Sequence, residues 1–249
     1  MYLLILGGTA DGRQLAETLH RQGLPIIYSV AGLVRVPTVK CGIVSGGFSQ
    51  FGGLLEYVKQ QNITAILDAT HPYAEKMSAA AVAAAKVHCI PCWRFYREAW
   101  KKSPGDRWHL FSEWEGLIAA VQNKKRLFVT VGQVNATQLE ELSYQRELVV
   151  LRTAVEPKIA LASNVEWIKA IGPFTEREEL ALMQKYNIDA LLSKNSGGDS
   201  TVAELDAARK LNCSVYMLER PVLEPAEIVF SDKKICEQFV LKHFCHTKM

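Results

Sequence analysis

Short hydrophobic runs and amphipathic stretches alternate along most of the 249-residue chain. The first run, YLLIL at 2–6, leads directly into a helical pattern over Asp11–Arg21, and Gly23 follows it as a natural helix stop. Further strand patterns in this half lie at 25–30, 42–48, 64–69 and 91–95, with helical patterns over 51–61 and 74–88. Such a series with short connections predicts a parallel sheet with helices on both faces.

A charged stretch at 96–108, YREAWKKSPGDRW, interrupts this alternation, and we interpret it as a crossover between two halves. Beyond it, helices are expected over 113–123, 136–143, 175–186, 199–211 and near 232–244, and strands at 126–131, 147–152, 166–171, 189–193 and 214–218. The sequence therefore predicts an α/β protein of two Rossmann-like parallel-sheet domains, 1–98 and 99–249, with the last helix able to pack back on the first. Because ligands bind at the carboxyl ends of such strands, we expect the active site in the cleft between the domains.

Composition and charge narrow the class of protein. The net charge of +3 and the lack of a Lys/Arg run argue against a nucleic-acid partner. The N-terminal run is too short for a signal peptide, and the longest small-apolar run, Met77–Val87, is too short to span a bilayer. We therefore expect a cytoplasmic protein without a membrane partner.

One cysteine pair, Cys89 and Cys92, has the CxxC spacing of redox and zinc sites. A reactive CxxC usually opens a helix, whereas this pair lies where a helical pattern ends and a strand begins. The sequence has no second CxxC or HxxxH to complete a zinc site. We expect buried, unreactive thiols and no metal.

The first strand ends in a glycine-rich turn, LGGTADG at 6–12. A GxGxxG fingerprint uses its glycines for a tight turn, close phosphate approach and helix packing. Here Gly7 and Gly12 hold the outer places and Thr9 the middle one. Gly8 and the Thr9 hydroxyl would let a phosphate meet the amides at the helix N-terminus, but the spacing also suits a purely structural turn.

The residue at the end of the second strand determines which cofactor such a site prefers. An acidic side chain there favours NAD, and a basic one accommodates the 2′-phosphate of NADP. The stretch YSVAGLVR at 28–35 offers Ser29 and no acid, with Arg35 a few residues on. This favours NADP(H), although Arg35 is equally explained as a solvated loop residue.

Polar residues follow the strand at 64–69 in LDATHPYA. Asp68, Thr70 and His71 are expected on the ligand side of the sheet, and Pro72 holds His71 extended so that its imidazole faces the cleft. Helix capping by Thr70 or His71 is the alternative.

A second polar loop, SKNSGG at 193–198, follows a strand in the other half. A lysine, an amide, a hydroxyl and exposed backbone N–H groups before a helix predict a site for an anionic or polar ligand. The alternative is a capped glycine turn with Lys194 in solvent.

Nine stretches fit one family pattern in order and spacing over nearly the whole chain: ILGGTADGRQLA (5–16), SVAG (29–32), GGF (46–48), DATHPYA (68–74), REAW (97–100), GPFTEREEL (172–180), SKNSGG (193–198), AARKL (207–211) and ERP (219–221). Together they resemble the precorrin-6A reductase family of corrin-ring (vitamin B12) biosynthesis. The chain departs from that family at Leu33, where an arginine is common, and at Glu204, where a lysine is common. The change at Glu204 is expected to remove a cation from the ligand face of the second domain.

The resemblance implies an oxidoreductase that passes a hydride from NADPH, with NADH as an alternative, to precorrin-6A or its cobalt complex. The cofactor supplies the reactive hydride, so the protein needs only to position the reactants, exclude water and allow a proton to reach the adjacent carbon. No protein-bound metal or flavin is implied, and the sequence is compatible with a monomer.

The resemblance also implies site residues. Those expected to bind the cofactor are Gly7, Gly8, Thr9, Ser29, Ala31, Gly32, Arg35, Gly47, Asp68, Ala69, Thr70 and His71. Those expected to bind the tetrapyrrole are Tyr73, Arg97, Trp100, Lys194, Asn195, Ser196, Gly197 and Arg220. Lys194 and His71 are the candidate catalytic residues, with water as an equal candidate for the proton donor.

Two other functions suit the same pattern. One is an NAD(P)H reductase of a smaller substrate on this scaffold. The other is a regulator that senses NADP without turnover, which would not need the SKNSGG loop as a site.

Overall fold

The computed structural model describes residues 1–31 and 39–246, and the chain divides into two compact units. The first comprises Met1–Glu98 and Pro221–Met249, and the second comprises Ala99–Arg220. The first break coincides with the expected boundary after residue 98. The expected second domain, 99–249, is shorter in the structure because the chain returns to the first unit after Arg220.

Strands and helices alternate along the described residues. The strands are β1 (Tyr2–Leu6), β2 (Ile26–Val30), β3 (Gly42–Ser45), β4 (Ile63–Asp68), β5 (Cys92–Phe95), β6 (Trp108–Phe111), β7 (Arg126–Val129), β8 (Leu148–Thr153), β9 (Val165–Lys169), β10 (Ala190–Lys194), β11 (Ser214–Leu218) and β12 (Ile228–Phe230). The helices are α1 (Ala10–Arg21), α2 (Leu54–Gln60), α3 (Glu75–His88), α4 (Trp114–Ala120), α5 (Ala136–Ser143), α6 (Glu176–Lys185), α7 (Ala203–Lys210) and α8 (Lys233–His246).

The first unit is built on a six-stranded sheet in the order β12-β5-β4-β1-β2-β3, with every neighbouring pair parallel. Hydrophobic residues run almost without interruption through β1 and β4 because helices cover both faces of these central strands. Leu15 and Leu19 of α1 pack on one face, and Ala81 and Ala84 of α3 pack on the other. This confirms the α/β fold class.

The second unit repeats this arrangement with a parallel sheet in the order β6-β11-β10-β7-β8-β9. In each sheet the strand order reverses beside the central strand, between β1 and β4 in one and between β7 and β10 in the other. Such switch points leave a crevice at the carboxyl ends of the strands, where ligands bind in open α/β sheets. Both glycine-containing loops singled out in the sequence, 6–12 and 193–198, lie at a switch point.

Two strands were not predicted from the sequence. The edge strand β6 (WHLF) lies partly inside the stretch interpreted as a crossover, and its central residues His109 and Leu110 are exposed. The edge strand β12 has only three residues, of which Phe230 is buried. Neither offers the long apolar run that identifies a central strand.

Two helices also begin later than expected, because glycines precede them. Gly52 and Gly53 have φ of +81° and +105°, so α2 begins at Leu54, after a short 3-10 helix at Ser49–Phe51. Gly197 and Gly198 have φ of +64° and +84°, and α7 begins only at Ala203.

The end of the chain completes the core of the first unit. Strand β12 extends the sheet beside β5, and α8 contributes Cys236, Val240 and Phe244 to the core that contains α1. The last helix therefore packs on the first unit, as the sequence allowed. None of the described helices combines the length and apolarity needed to cross a bilayer.

Candidate functional site

The turn between β1 and α1 is built around a buried tyrosine. A Cβ at Gly7 would lie 2.2–2.4 Å from atoms of the Tyr28 ring, so this position excludes any side chain. The Tyr28 hydroxyl accepts a hydrogen bond from the Gly8 amide at 3.2 Å. Gly8 has a φ of +109°, which favours glycine. Sequence reasoning passed over Tyr28, because a tyrosine in a strand is ordinary.

Thr9 is the N-cap of α1. Its hydroxyl oxygen accepts from the Gly12 amide at 3.0 Å and donates its hydrogen to the Ala69 carbonyl at 2.9 Å. Because its hydrogen is used in this way, the Thr9 hydroxyl has no donor left for a further contact. In the described part of the chain, no acceptor takes a hydrogen bond from the amides of Thr9, Ala10 or Asp11. A helix N-terminus with open amides attracts an anion.

Gly12 takes the helix-packing place of the fingerprint. A Cβ there would lie 3.1 Å from the Ala69 carbonyl oxygen and 3.2 Å from the Ala69 side chain. Ala69 is buried, and its amide donates to the Leu6 carbonyl at 2.9 Å. Ala69 therefore supports the turn through backbone contacts.

Asp11, in the first turn of α1, holds two cations at this site. Arg97 Nη1 lies 2.9 Å and Lys233 Nζ lies 3.0 Å from its carboxylate oxygens. Burial by itself would raise the pKa of Asp11, but the hydrogen bonds and charges of Lys233 and Arg97 outweigh it, so the pKa is lowered. The carboxylate is thus ionised, and the three groups together carry one positive charge. Neither Asp11 nor Lys233 was predicted, since their partners lie 86 and 222 residues away along the chain.

The structure corrects the expected cofactor contact of Asp68. Its side chain is 1% exposed, and its oxygens accept from Thr70, from Ser78 at 2.7 Å and from Arg94 at 2.9 Å. Asp68 accepts from both the amide and the hydroxyl of Thr70, at 3.2 and 2.6 Å. A carboxylate surrounded in this way shapes the loop after β4 and leaves ligand contact to its neighbours.

That loop continues through His71, Pro72 and Tyr73. His71 is exposed, and its ring centroid lies 5.6 Å from that of Tyr73. Helix α3 begins after Ala74 with no side-chain cap, so neither Thr70 nor His71 caps it. The capping alternative is therefore wrong, and His71 stays a candidate for ligand contact.

A small cavity brings these loops together within the first unit. Its walls are formed by Thr9, Asp11, Ala69, Thr70, Pro72, Phe95 and Arg97. Arg97 was expected to bind the substrate, but it lies in the same cavity wall as Thr9 and Thr70, which were expected to bind the cofactor.

The remaining predicted cofactor residues lie near the ends of β2 and β3. Ser29 is buried, and its carbonyl accepts from the Gly7 amide at 2.8 Å. Ala31 is exposed just after β2, and Gly47 has a φ of +81° in the turn after β3. Gly32 and Arg35, together with Leu33, lie outside the described residues.

In the second unit, Lys194 is the last residue of β10. Burial lowers the pKa of its ammonium group. The loop that follows is anchored by Arg220, whose guanidinium donates to the carbonyls of Asn195 at 2.7 Å and Ser196 at 3.0 Å. Gly197 follows with a left-handed backbone. Arg220 thus supports the loop expected to bind substrate.

Trp100 and Asn195 support the same loop. The Trp100 amide donates to Asn195 Oδ1 at 2.8 Å, and Asn195 Nδ2 donates back to the Trp100 carbonyl at 3.2 Å. The indole N–H of Trp100 donates to the Gly198 carbonyl at 3.1 Å. These contacts anchor the loop from Asn195 to Gly198, and the expected contact of Trp100 and Asn195 with the substrate stays a prediction.

The structure also corrects the expected position of Glu204 on the ligand face. Its side chain is buried, with Thr130 and Ser193 donating to Oε1 at 2.8 and 2.6 Å. Arg152 Nη2 donates to Oε2 at 2.6 Å and is also bonded to Glu179. Glu204 therefore links the ends of β7 and β10 from inside the unit.

The two CxxC thiols differ from each other. Cys92 is buried at the start of β5, where burial, with a further effect of the Asp68 charge, raises its pKa to about 12. Such a thiol is unreactive, as expected. Cys89 is exposed at the C-cap of α3, which corrects its expected burial. In the described residues, no group of three or more His, Cys, Asp or Glu side chains is arranged to hold a metal ion.

The fold and this geometry define a doubly wound α/β protein with an open helix N-terminus at a strand switch point. The family described as "Precorrin-6x reductase CbiJ/CobK" matches residues 2–239, and the chain belongs to this family. It is 37% identical to a precorrin-6A reductase of Rhodococcus erythropolis over 92% of this chain and 93% of that protein. It is 28% identical to a cobalt-precorrin-6A reductase of Synechocystis over 96% of this chain and 95% of that protein.

A solved structure supports the same assignment. The structure described as "CobK precorrin-6A reductase" is similar to this chain with a TM-score of 0.88 and 31% sequence identity. The match covers 98% of this chain and 97% of that one. Both units of the fold are therefore shared with this family member.

Proposed function

We propose that this protein reduces precorrin-6A to its dihydro form in cobalamin biosynthesis, with NADPH as the hydride donor. The observation that carries the proposal is the open N-terminus of α1 at the switch point between β1 and β4, in a chain that belongs to this reductase family. An anionic dinucleotide is the ligand class that such a turn accommodates.

The residues around the turn fit such a cofactor. The amides of Thr9, Ala10 and Asp11 would bind the pyrophosphate, and the net positive charge of Asp11, Arg97 and Lys233 would favour it. Because Arg97 lies in the cavity wall with Thr9 and Thr70, we reassign it from the substrate to the cofactor. When bound, the reduced nicotinamide supplies the hydride.

The protein must also bind the tetrapyrrole and allow a proton to reach it. Lys194 serves as a cation for a substrate carboxylate, and its lowered pKa makes its proton easier to release. The anchored loop from Asn195 to Gly198 holds Lys194 in place. His71, exposed beside Tyr73, is the second candidate proton donor.

Among the relatives compared, the one named for the metal-free substrate is more similar, at 37% against 28% identity. We therefore propose metal-free precorrin-6A as the substrate. We propose Arg35 as the residue that recognises the 2′-phosphate of NADPH, because no acid follows β2 in the sequence. Arg35→Ala should then weaken NADPH binding by about 1.5–3 kcal/mol, the range of a charge-assisted hydrogen bond, and leave NADH binding unchanged in titrations with each cofactor.

An assay of the purified protein with precorrin-6A and NADPH tests the function directly. We expect oxidation of NADPH that depends on the tetrapyrrole, and deuterium transfer from cofactor labelled at C4. Lys194→Ala should lower kcat/KM for the tetrapyrrole at least tenfold, or about 1.4 kcal/mol. Lys169→Ala is the matched control, because Lys169 is an exposed lysine that also ends a strand of this sheet.

Two results would contradict the proposal. NADPH binding without turnover of precorrin-6A would favour a sensor of the cofactor. Normal turnover by Lys194→Ala would show that the loop belongs to the scaffold alone.

A further inference from the structure

Tyr28 lies at the centre of the turn where the cofactor's phosphates are proposed to bind. It is 1% exposed in the middle of β2, paired with Ile5 of β1. Its ring reaches along β1 to the end of the strand, where it fills the space that a Cβ at Gly7 would need. The requirement for glycine at position 7 therefore comes from this aromatic ring.

The Tyr28 hydroxyl determines which amides of the turn remain for a ligand. It accepts from the Gly8 amide at 3.2 Å and so turns that amide towards the interior. The following three amides have no acceptor in the described residues. Burial raises the pKa of Tyr28, so the group beside the anion site is a neutral hydroxyl.

We propose that Tyr28 is a positioning residue for the pyrophosphate of the cofactor. Its hydroxyl fixes the Gly8 peptide, and its ring fixes the path of the chain at Gly7, so that the amides of Thr9 to Asp11 are oriented before the anion arrives. Donors that are already oriented bind more tightly than donors that must be ordered on binding. The inference rests on the proposed binding of NADPH.

Tyr28→Phe tests the role of the hydroxyl, because it removes one oxygen and keeps the ring that fills the space at Gly7. We expect the dissociation constant and the KM for NADPH to rise about three- to tenfold, the effect of one hydrogen bond. The kcat and the KM for precorrin-6A should stay unchanged. Amide exchange measured by NMR should become faster at Gly8, the residue that loses its acceptor.

Tyr57→Phe is the matched control for this substitution. Tyr57 is a buried tyrosine of the same unit that packs against Phe48 and Phe51 in the other core layer. Its replacement should leave the affinity for NADPH unchanged. A loss equal to that of Tyr28→Phe would overturn the proposal, because it would make the effect a general result of removing the hydroxyl of a buried tyrosine in this unit.

A second pair of variants separates packing from positioning and does not depend on the folding of Tyr28→Phe. Gly7→Ala should destabilise the protein, since the new methyl overlaps the Tyr28 ring. Adding Tyr28→Leu should restore cooperative unfolding by making room, yet leave the affinity for NADPH reduced because the hydroxyl is absent. Recovery of both stability and affinity would overturn the proposal.

The outcomes for the two proposals are distinguishable. A folded Tyr28→Phe protein that binds NADPH as tightly as the wild type, or more tightly, would overturn the role of Tyr28 and leave the proposed reductase function intact. A wild-type protein that binds neither NADPH nor NADH would overturn the proposed function, and the role of Tyr28 with it.

Discussion

Two buried glutamates share one arginine in the second unit. Arg152 is bonded to Glu179 and Glu204, and its guanidinium lies 3.9 Å from the centre of the Phe174 ring. Burial raises the pKa of both carboxyl groups, and the charge of Arg152 opposes the shift. Glu204 accepts from three donors, whereas Glu179 Oε2 is buried without a partner among the described residues. We infer that the donors around Glu204 favour its ionised form and that Glu179 is the carboxyl group that more readily keeps a proton.

The two glutamine substitutions should therefore differ. Glu204→Gln breaks the buried ion pair with Arg152, and we expect it to cost about 3–5 kcal/mol of unfolding free energy. Glu179→Gln replaces the group that more readily keeps a proton and that has one donor in place of three, so it should cost much less. Urea unfolding of the two variants beside the wild type measures this difference. Equal losses would show that both glutamates are ionised in the folded protein.

The proton on Glu179 also gives a pH dependence. The folded state holds this proton above the ordinary pKa of 4.5, where the unfolded state releases it, so the contribution to stability is lost as pH rises through the folded pKa. Glu179→Gln should remove this loss, so the difference in unfolding free energy should shift in favour of the variant as pH rises above 4.5. Urea unfolding at several pH values above 4.5, with Glu140→Gln as an exposed control, tests the prediction. A constant difference across these pH values would contradict it.

Residues such as Glu204 mark the limit of prediction from the sequence. A glutamate in an amphipathic helix has the local pattern of a surface residue, and its burial depends on Arg152, 52 residues earlier. The same holds for Asp68, whose partner Arg94 follows 26 residues later on the neighbouring strand. Polar loops at strand ends were found correctly, but which polar groups bond to each other depends on tertiary contacts.

At the scale of elements, the β1–α1 turn requires glycine at two positions, and the physical reason differs between them. Gly7 has a tyrosine ring against it, whereas Gly8 has open space on the side where a Cβ would project and a φ of +109°. Any side chain at Gly8 is therefore strained, and it would also project into the open space where the cofactor phosphates are proposed to bind. Because backbone strain alone can reduce NADPH binding, a Gly8 variant needs a control with the same strain at a position away from the turn.

Gly23 supplies this control. It follows α1 with a φ of +85°, and a Cβ added there would likewise have no atom within 4 Å. Gly8→Ala and Gly23→Ala should each lose about 1–3 kcal/mol of stability from the strained backbone. Only Gly8→Ala should weaken NADPH binding, by at least tenfold. Calorimetric titration beside urea unfolding checks both, and equal affinities in the two variants would remove the turn from the cofactor site.

The central strands of both sheets were predicted from the sequence, whereas only two of the four edge strands, β3 and β9, were. Central strands such as β1, β4 and β10 are buried on both faces and read as continuous apolar runs. The edge strands β6 and β12 are short and half exposed, so their sequences resemble loops. Because β12 follows the return of the chain to the first unit, missing it also misplaced the end of the second domain.

At the scale of the whole molecule, five strands follow the same order in both sheets, and the sixth, at one edge, is the last strand of the first unit (β12) but the first strand of the second (β6). The second is continuous from Ala99 to Arg220, whereas the first needs its final strand and helix from beyond Pro221. Without that segment, the core around Trp93 and Phe95 would lose Phe230, Cys236 and Val240. The first unit also holds the proposed cofactor site, so its completeness matters for binding as well as for stability.

Three fragments test this division of the chain. Residues 99–220 should unfold cooperatively in urea when expressed alone, because they retain a complete sheet and both helical layers. Residues 1–98 should not, because removing β12 and α8 exposes the apolar surface that they cover. Joining residues 1–98 to 221–249 through a flexible linker should restore cooperative unfolding and bind NADPH with an affinity near that of the full chain. If residues 1–98 alone fold and bind NADPH equally well, the C-terminal segment adds neither core nor cofactor contacts, and the role given to Lys233 at the turn would be wrong.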